Sequence, residues 1–489
     1  RSLSEKSEAF RAQSVPVLRA DVARALPPHT ALVEYVKYHP FRIDAKKASQ
    51  RWAEPAYAAY VLGADDTLRF VKLGPSAPID RAIVAFRKKI EDKAHPDPRA
   101  EGRAVATLMF DPLEKELGSA RELFVSTDGA LATLPFGALT GPHGEYLFER
   151  FLFSFVGSGR DVLRFAEPAA EGSAPFVLTN PDYDLTAPAK PRAAADAERS
   201  LSLGDNLFPP LPGTADEGKA VTAALSDARV VSGKDATTDI LAQLHGPRVL
   251  HIATHGFFVP LSRGTKAESS PSTRAEAQTE LLRAVLPQVD DPFVRSGLAL
   301  AGANSRGARD DGILSAYEAL GLDLHGTRLV TLSACETGLG ELVEGIEVQG
   351  LGRAFTIAGA QTLLTSLWKV NDEATRDLMA GYYARLAKGG GRAESLRDVQ
   401  RDFIARSDRA GPYYWAAFSI SGNPSALSGA RVAADVDTTG RGSELSKVAP
   451  SSRGCGCRVA TSRAGSISSL AGALLLGLLL LRRNAHSAC

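Results

Sequence analysis

The sequence predicts an α/β fold, a mainly parallel sheet covered by helices on both faces. Three observations predict it. From about Pro175 onward, apolar runs of strand length alternate with segments of helical periodicity. Those strands are near-continuous apolar runs, as burial on both faces requires. Strands joined through helices imply right-handed crossovers and parallel neighbours.

Bulk properties bound the rest. At 489 residues, 44% hydrophobic and 23% charged, the chain can build a sizeable core, and its length implies two or three units. A net charge of +1, with no basic stripe interleaved with aromatics, argues against nucleic acid as a partner. The four cysteines are Cys335, Cys455, Cys457 and Cys489, so the body before the tail holds a single thiol and no internal disulfide. No Cys/His spacing resembles a zinc site, and the sequence calls for no metal and no cofactor. The chain opens on Arg1, not Met, so a fragment or processed form of a longer protein is expected.

The elements follow in order. Residues 1–24 are mixed and charged and read as a helical stub, in keeping with the end of a repeat domain. Residues 25–165 form a first part. Within it, Thr30 to Tyr38 reads as a strand. Ala58 to Gly74 reads as two strands around the turn Asp65-Asp66. Ile79 to Leu117 is helical, broken at His95 to Pro98. Arg121 to Leu139 reads as strand, turn, strand.

Residues 166–425 form the core of the α/β pattern. "PFVLTNPDYD" is a strand ending at Asn180-Pro181, and Ala228 to Leu244 is a strand, a glycine turn and a helix. "RVLHIATH" (Arg248 to His255), "RLVTLSAC" (Arg328 to Cys335) and "QTLLTSLWKV" (Gln361 to Val370) are further strands. Helices follow, with Leu351, Ala354, Phe355 and Ala358 on one face, then Leu378, Tyr382 and Leu386 on another up to Gly389. Tyr413 to Gly422 holds a last strand. Leu261 to Thr279 is a polar loop, readable as a lid, an autocleavage site or a solvated insertion. Residues 426–454, rich in Ser, Gly and Asp without aromatics, form a linker.

The tail, residues 455–489, joins Cys455 and Cys457 to an uncharged, Leu-rich run over 464–481 and then to Arg482-Arg483. Eighteen uncharged residues can just span a bilayer, which needs about 20 at 1.5 Å each. A C-terminal transmembrane helix is therefore expected, with the arginines as its cytoplasmic anchor. The arrangement resembles the MYXO-CTERM sorting signal of myxobacterial surface proteins. That resemblance implies sorting or lipidation at Cys455 and Cys457, membrane attachment through the tail, and export to the cell envelope or surface. A cytoplasmic location is the alternative.

The chemistry centres on His255 and Cys335. Each sits at the carboxyl end of a predicted strand, where open parallel sheets collect functional groups. A thiol is a poor nucleophile until ionised, and a nearby imidazole can take its proton and return it to a leaving group. Gly256 has no Cβ, so a carbonyl can approach its N–H. Together with a donor at Cys335 it could form an oxyanion hole, worth about 3 kcal/mol per donor. Each residue taken alone could be structural. His251, on the same face and four residues deeper, reads as a hydrogen-bonded core histidine.

"HIATHGFF", "DDGILSAYEALGLDL", "LVTLSACETGLG", "GLGRAFTIAGAQTLLTSLWKVNDEAT" and "YYWAAF" resemble the CHAT family, of the clan that holds caspases, separases and gingipains. The resemblance runs from about Leu26 to Pro424. It implies a caspase-like three-layer sandwich and a cysteine endopeptidase acting on protein or peptide substrates. His255 is then the base, Cys335 the nucleophile, and Gly256 an oxyanion donor. "SACETG" and the spacing of 80 residues depart from caspases proper, so a preference for Asp in the substrate is not implied. "SLWKVND" resembles the separase segment in which an acidic residue helps hold a substrate Arg, which puts Asp372 at that position. Asp372 is equally well placed as a helix N-cap. An N-terminal tetratricopeptide or other regulatory partner is implied too. The competing class is a catalytically idle caspase-like binding or scaffold module, against which the intact His-Cys pair argues.

Overall fold

The computed structural model of the chain describes residues 16–94, 97–165, 171–185, 208–259, 293–304, 312–334, 341–343, 346–368 and 370–428. The strands are β1 (Thr30–Tyr38), β2 (Ala56–Gly63), β3 (Leu68–Pro75), β4 (Glu122–Ser126), β5 (Leu152–Phe155), β6 (Phe176–Pro181), β7 (Arg229–Gly233) and β8 (Val249–Ala253). They continue with β9 (His255–Phe258), β10 (Ser296–Ala299), β11 (Ile313–Ser315), β12 (Leu329–Ser333), β13 (Glu341–Val343), β14 (Ile346–Gln349), β15 (Thr362–Ser366) and β16 (Phe418–Gly422). The helices that matter below are α1 (Arg19–Ala25), α2 (Ser76–Ile90), α3 (Arg99–Met109), α4 (Asp111–Leu117), α5 (Arg160–Arg164), α6 (Gly213–Ala224), α7 (Thr238–Ala242), α8 (Ala316–Ala319), α9 (Leu351–Ile357), α10 (Asp372–Ala387) and α11 (Arg392–Ile404).

An 11-stranded sheet runs in the order β3-β2-β1-β4-β5-β16-β15-β12-β8-β6-β7. Neighbours are parallel except in the β3-β2-β1 meander and where β16 meets β15. The two stretches read as 25–165 and 166–425 thus contribute to one sheet. Every residue of β8, β12 and β15 is buried, which is why these strands read as unbroken apolar runs. One face is covered by α2, α3, α6, α10 and α11, and the other by α7, α8 and α9 at one end and by α1 and α5 at the other. The three-layer α/β sandwich expected from the sequence is present.

Periodicity explains the cover. In α2, Ile79, Ile83, Phe86 and Ile90 recur on one stripe, and all are buried. α6 lies unusually close to its neighbours because it carries glycine at the contacts. A Cβ on Gly218 would sit 2.9 Å from Thr179 Cγ2, and one on Gly213 2.9 Å from Asp372 Cβ.

Two expectations need correction. The segment Arg121 to Leu139 holds one strand, β4, and then two 3-10 turns, Gly129–Thr133 and Phe136–Ala138. Gly129 takes a left-handed backbone (φ 59°) and Pro135 has no N–H for a ladder. Leu131, Leu134 and Phe136 enter the core from these turns without strand alternation. The second correction concerns the transmembrane helix. Among the described residues no helix is long and apolar enough to cross a membrane, so the expected C-terminal transmembrane helix is not supported, and the α/β sandwich is the part of that expectation that holds. Residues 429–489, which include the run 464–481, lie outside the described residues, as do residues 1–15 of the helical stub and the loop from Leu261 to Thr279.

Arg392 fastens the end of the fold. It is 1% exposed, and its guanidinium donates to the carbonyls of Ser425 (2.6 Å) and Arg328 and to Thr362 Oγ1 (2.9 Å). Burial pushes its pKa down to about 10, so it stays charged at neutral pH and needs those acceptors. Removing it orphans buried carbonyls. Arg392→Ala should lose about 3 kcal/mol of stability in urea unfolding, and Arg392→Lys should recover only part, because an ammonium cannot span the three acceptors.

Candidate active site

The site is built where the central strands end. β8 stops at Ala253, two residues short of the histidine that the sequence placed at its end. The chain leaves the large sheet at Thr254, and His255 opens β9, which pairs antiparallel with β10: His255 stands opposite Ala299 and Gly256 opposite Leu298. Thr254 holds both sheets. Its N–H donates to Ser333 O (3.3 Å), at the end of β12. Its hydroxyl donates to Ala299 O on β10 and accepts from the Tyr183 hydroxyl (2.9 Å).

His255 is 6% exposed. Its Nε2 lies 2.8 Å from the carbonyl oxygen of Pro209. A carbonyl can only accept, so Nε2 carries the proton and Nδ1 is the basic nitrogen of the neutral ring. Tyr183 and Phe208 flank the imidazole, with ring centroids at 5.2 and 5.7 Å. Asn304 fixes the segment that carries the acceptor. Its Oδ1 accepts from Phe208 N–H (2.9 Å), and its Nδ2 donates to Phe208 O (3.0 Å) and to Asp184 Oδ1 (2.7 Å). The residue before Pro209 is therefore gripped on both its backbone groups.

Next to this unit lies a cleft of about 50 Å³, lined in part by Glu217, Thr254, Ser333, Ala334, Trp368 and Asp372. Ala334 is the residue before Cys335, and Ser366 Oγ donates to its carbonyl at 2.6 Å. Cys335 itself lies outside the described residues, as do Cys455 and Cys457. Asp372 is exposed at the cleft and is the first residue of α10, but it is not the cap. Asn371 is, with Oδ1 accepting from the N–H groups of Glu373 and Ala374 at 3.1 Å each. The Asp372 carboxylate is thus not spent on capping.

Beneath the cleft the polar groups are buried. His251 is fully buried, its Nδ1 3.1 Å from the Tyr383 hydroxyl. Tyr383 donates to Thr331 Oγ1 (2.8 Å), and burial holds its pKa well above the ordinary tyrosine range, so it remains a donor. His251 Nδ1 is then the N–H that Tyr383 accepts. The ring's Nε2 stands 3.2 Å from Glu217 Oε1, close enough for electrostatic contact but without the alignment of a hydrogen bond. His251 is the core histidine the strand alternation implied. Glu217, Pro209, Asn304 and Ser366 have no motif in the sequence. The run Phe208-Pro209-Pro210, rigid and just ahead of a helix, is the one local signal that could have pointed to the histidine's partner.

A profile of the CHAT domain matches residues 99–423, about two thirds of the chain. The chain belongs to the CHAT domain family. Curated proteins similar to this CHAT chain are tetratricopeptide repeat protein 28 of Mus musculus, 25% identical over 342 residues, and of Homo sapiens, 26% identical over 338 residues. Each match covers 66% of this chain and 13% of the relative, so the chain spans a small part of their length. Among solved structures, the Saccharomyces cerevisiae separase-securin complex is similar over 74% of this chain and 21% of that one, at 12% identity and a TM-score of 0.35. The Arg-specific cysteine proteinase gingipain R is similar over 72% and 75%, at 8% identity and a TM-score of 0.39.

The Asn304 clamp can be tested in this CHAT domain without any assay of activity. In hydrogen exchange, Asn304→Ala should expose the Phe208 amide and speed its exchange about ten-fold or more, while amides of β8 and β12 keep their protection.

Proposed function

We propose that the protein is a cysteine endopeptidase that cleaves peptide bonds in protein substrates with a His255-Cys335 dyad. His255 Nδ1 takes the thiol proton, and the thiolate attacks the scissile carbonyl. The N–H groups of Gly256 and Cys335 receive the oxyanion. His255 returns the proton to the departing amine, leaving a thioester at Cys335. Water then adds to the thioester with His255 as base, releases the new carboxyl end and restores the thiol. Asp372, exposed at the cleft with its carboxylate free of capping duty, is proposed to take part in reading the substrate side chain.

The observation that carries this reading is the hydrogen bond from His255 Nε2 to Pro209 O. It puts the ring proton on Nε2 and so makes Nδ1 the basic nitrogen, the tautomer that a proton-accepting histidine needs. Membership of the CHAT family supports it further, as does the anchoring of Ala334, next to Cys335, at the cleft. The matched relatives are named for tetratricopeptide repeats, which supports a repeat domain or partner as the regulator.

A peptidyl electrophile directed at thiols tests the proposal on the full chain. It should add one mass increment at Cys335, none in Cys335→Ala, and label His255→Ala at least about 100-fold more slowly. Absence of labelling under all conditions, including added repeat-domain partner, would favour the idle scaffold.

A further inference from the structure

We infer that Arg87, on helix α2 in the first part of the chain, is a positioning residue of the cleft and sets the wall that carries Trp368. As a role in catalysis this rests on the peptidase reading; the contact itself is geometric.

The wall is the segment Ser366-Leu367-Trp368, where β15 ends, and Ser366 and Trp368 line the cleft. Four hydrogen bonds fasten it. Ser366 Oγ donates to Ala334 O (2.6 Å), Leu367 N–H donates to Ala417 O (2.9 Å), and the Trp368 indole N–H donates to Tyr413 O (3.1 Å). These three tie the wall to its own half of the sheet. The fourth comes from 280 residues earlier in the chain: Nη2 of Arg87 donates to Leu367 O at 3.3 Å. Leu367 thus has its N–H tied to the residue before β16 and its carbonyl tied to α2.

Arg87 is braced for such a bridge. Glu91, one turn on, accepts from Nε at 2.6 Å and aims the guanidinium. Nη1 donates to Thr133 O at 2.8 Å, at the end of the 3-10 turn Gly129–Thr133. The same helix holds the start of that turn. Asp80 accepts from the Tyr57 hydroxyl (2.8 Å), which accepts in turn from Ala130 N–H (3.1 Å). The turn is gripped from α2 at both ends, so the guanidinium has a fixed base from which to hold Leu367. A planar fork of donors can serve two carbonyls at once, which a single ammonium does poorly. The Arg87 side chain is mostly buried, so water replaces these bonds badly. Just past the end of α2, Lys93 Nζ lies 5.8 Å from the Tyr414 ring, next to the carbonyl that receives Trp368. This end of the helix therefore meets the wall and the support behind it. A wall displaced by about 1 Å misplaces a substrate enough to cost up to about 100-fold in rate.

The test uses the full chain labelled with 5-fluorotryptophan, its three fluorine resonances assigned through Trp368→Phe and Trp52→Phe. Arg87→Met should shift or broaden the Trp368 resonance and leave that of Trp52 in place. Two reagents, followed by mass at the Cys335 peptide, separate the cleft from the dyad: a thiol-directed peptidyl electrophile needs the cleft, and iodoacetamide does not. Arg87→Met should raise the concentration of peptidyl reagent that gives half-maximal labelling rate by about 10-fold or more, and change the iodoacetamide rate by less than about two-fold. Arg87→Lys, able to serve one carbonyl, should recover part of the loss. Glu91→Gln, which loosens the aim of Arg87 without touching the wall, should move both readouts the same way by a smaller amount. Urea unfolding checks that the variants fold, and Glu91→Gln carries the test if Arg87→Met does not. An unchanged Trp368 resonance in folded Arg87→Met, or equal slowing of both reagents, would overturn the assignment while leaving the dyad standing. No labelling of the unaltered chain by either reagent would overturn the peptidase reading, and the Trp368 resonance would still decide whether Arg87 sets the wall.

Discussion

The whole site depends on one departure of the chain from its sheet, at Thr254. A strand in a parallel sheet ends by sending its next residues over the edge, and what happens there decides which way the following side chains face. Thr254 settles it with three hydrogen bonds: its N–H to β12, and its hydroxyl to β10 and Tyr183. The backbone is still tied to the central sheet while the side chain is already part of the small antiparallel sheet. His255 is therefore the first residue of a new strand, packed between Tyr183 and Phe208, and not the fraying end of an old one. Its ring is aimed by Pro209, whose neighbour is held in turn by Asn304.

The same economy of buried polar groups runs under the cleft. His251 on β8, Thr331 on β12 and Tyr383 on α10 form a chain of hydrogen bonds in which two adjacent strands are tied to the helix above them. Such a network is stiff when each member is satisfied. The chain of bonds is satisfied as far as His251 Nδ1 and then meets Glu217, where alignment fails. The rigid floor and the incomplete pairing at its edge are two sides of one arrangement.

Much of this was legible in the sequence, and the parts that were not share a cause. β1 fits the apolar run Thr30 to Tyr38 residue for residue, and the hairpin of β2 and β3 follows from Asp65-Asp66 between apolar runs. Burial on both faces leaves its mark directly in composition, so β8, β12 and β15 could be read by eye. His255 could be singled out because a histidine beside glycine at a strand end is chemically conspicuous. Its partner could not, since Pro209 acts through a backbone carbonyl, and every residue has one. Asn304 and Glu217 are close to the site only in space, 49 residues after and 38 residues before His255. Asp372 was misplaced by one position as a cap because Asn371 and Asp372 are equally good capping types, and only the backbone decides between them. The turns after β4 read as a strand because three apolar residues in a short span mimic alternation when the left-handed backbone at Gly129 is unknown.

The account stands on the tautomer of His255. Nitrogen-15 NMR of the imidazole in the full chain, labelled at histidine and assigned through His255→Gln, observes it directly above the ring's titration. The neutral ring should carry its proton on Nε2, with a slowly exchanging N–H from the bond to Pro209, and show an unprotonated Nδ1. A neutral ring protonated on Nδ1 would contradict the account, because the nitrogen assigned to receive the thiol proton would already hold one.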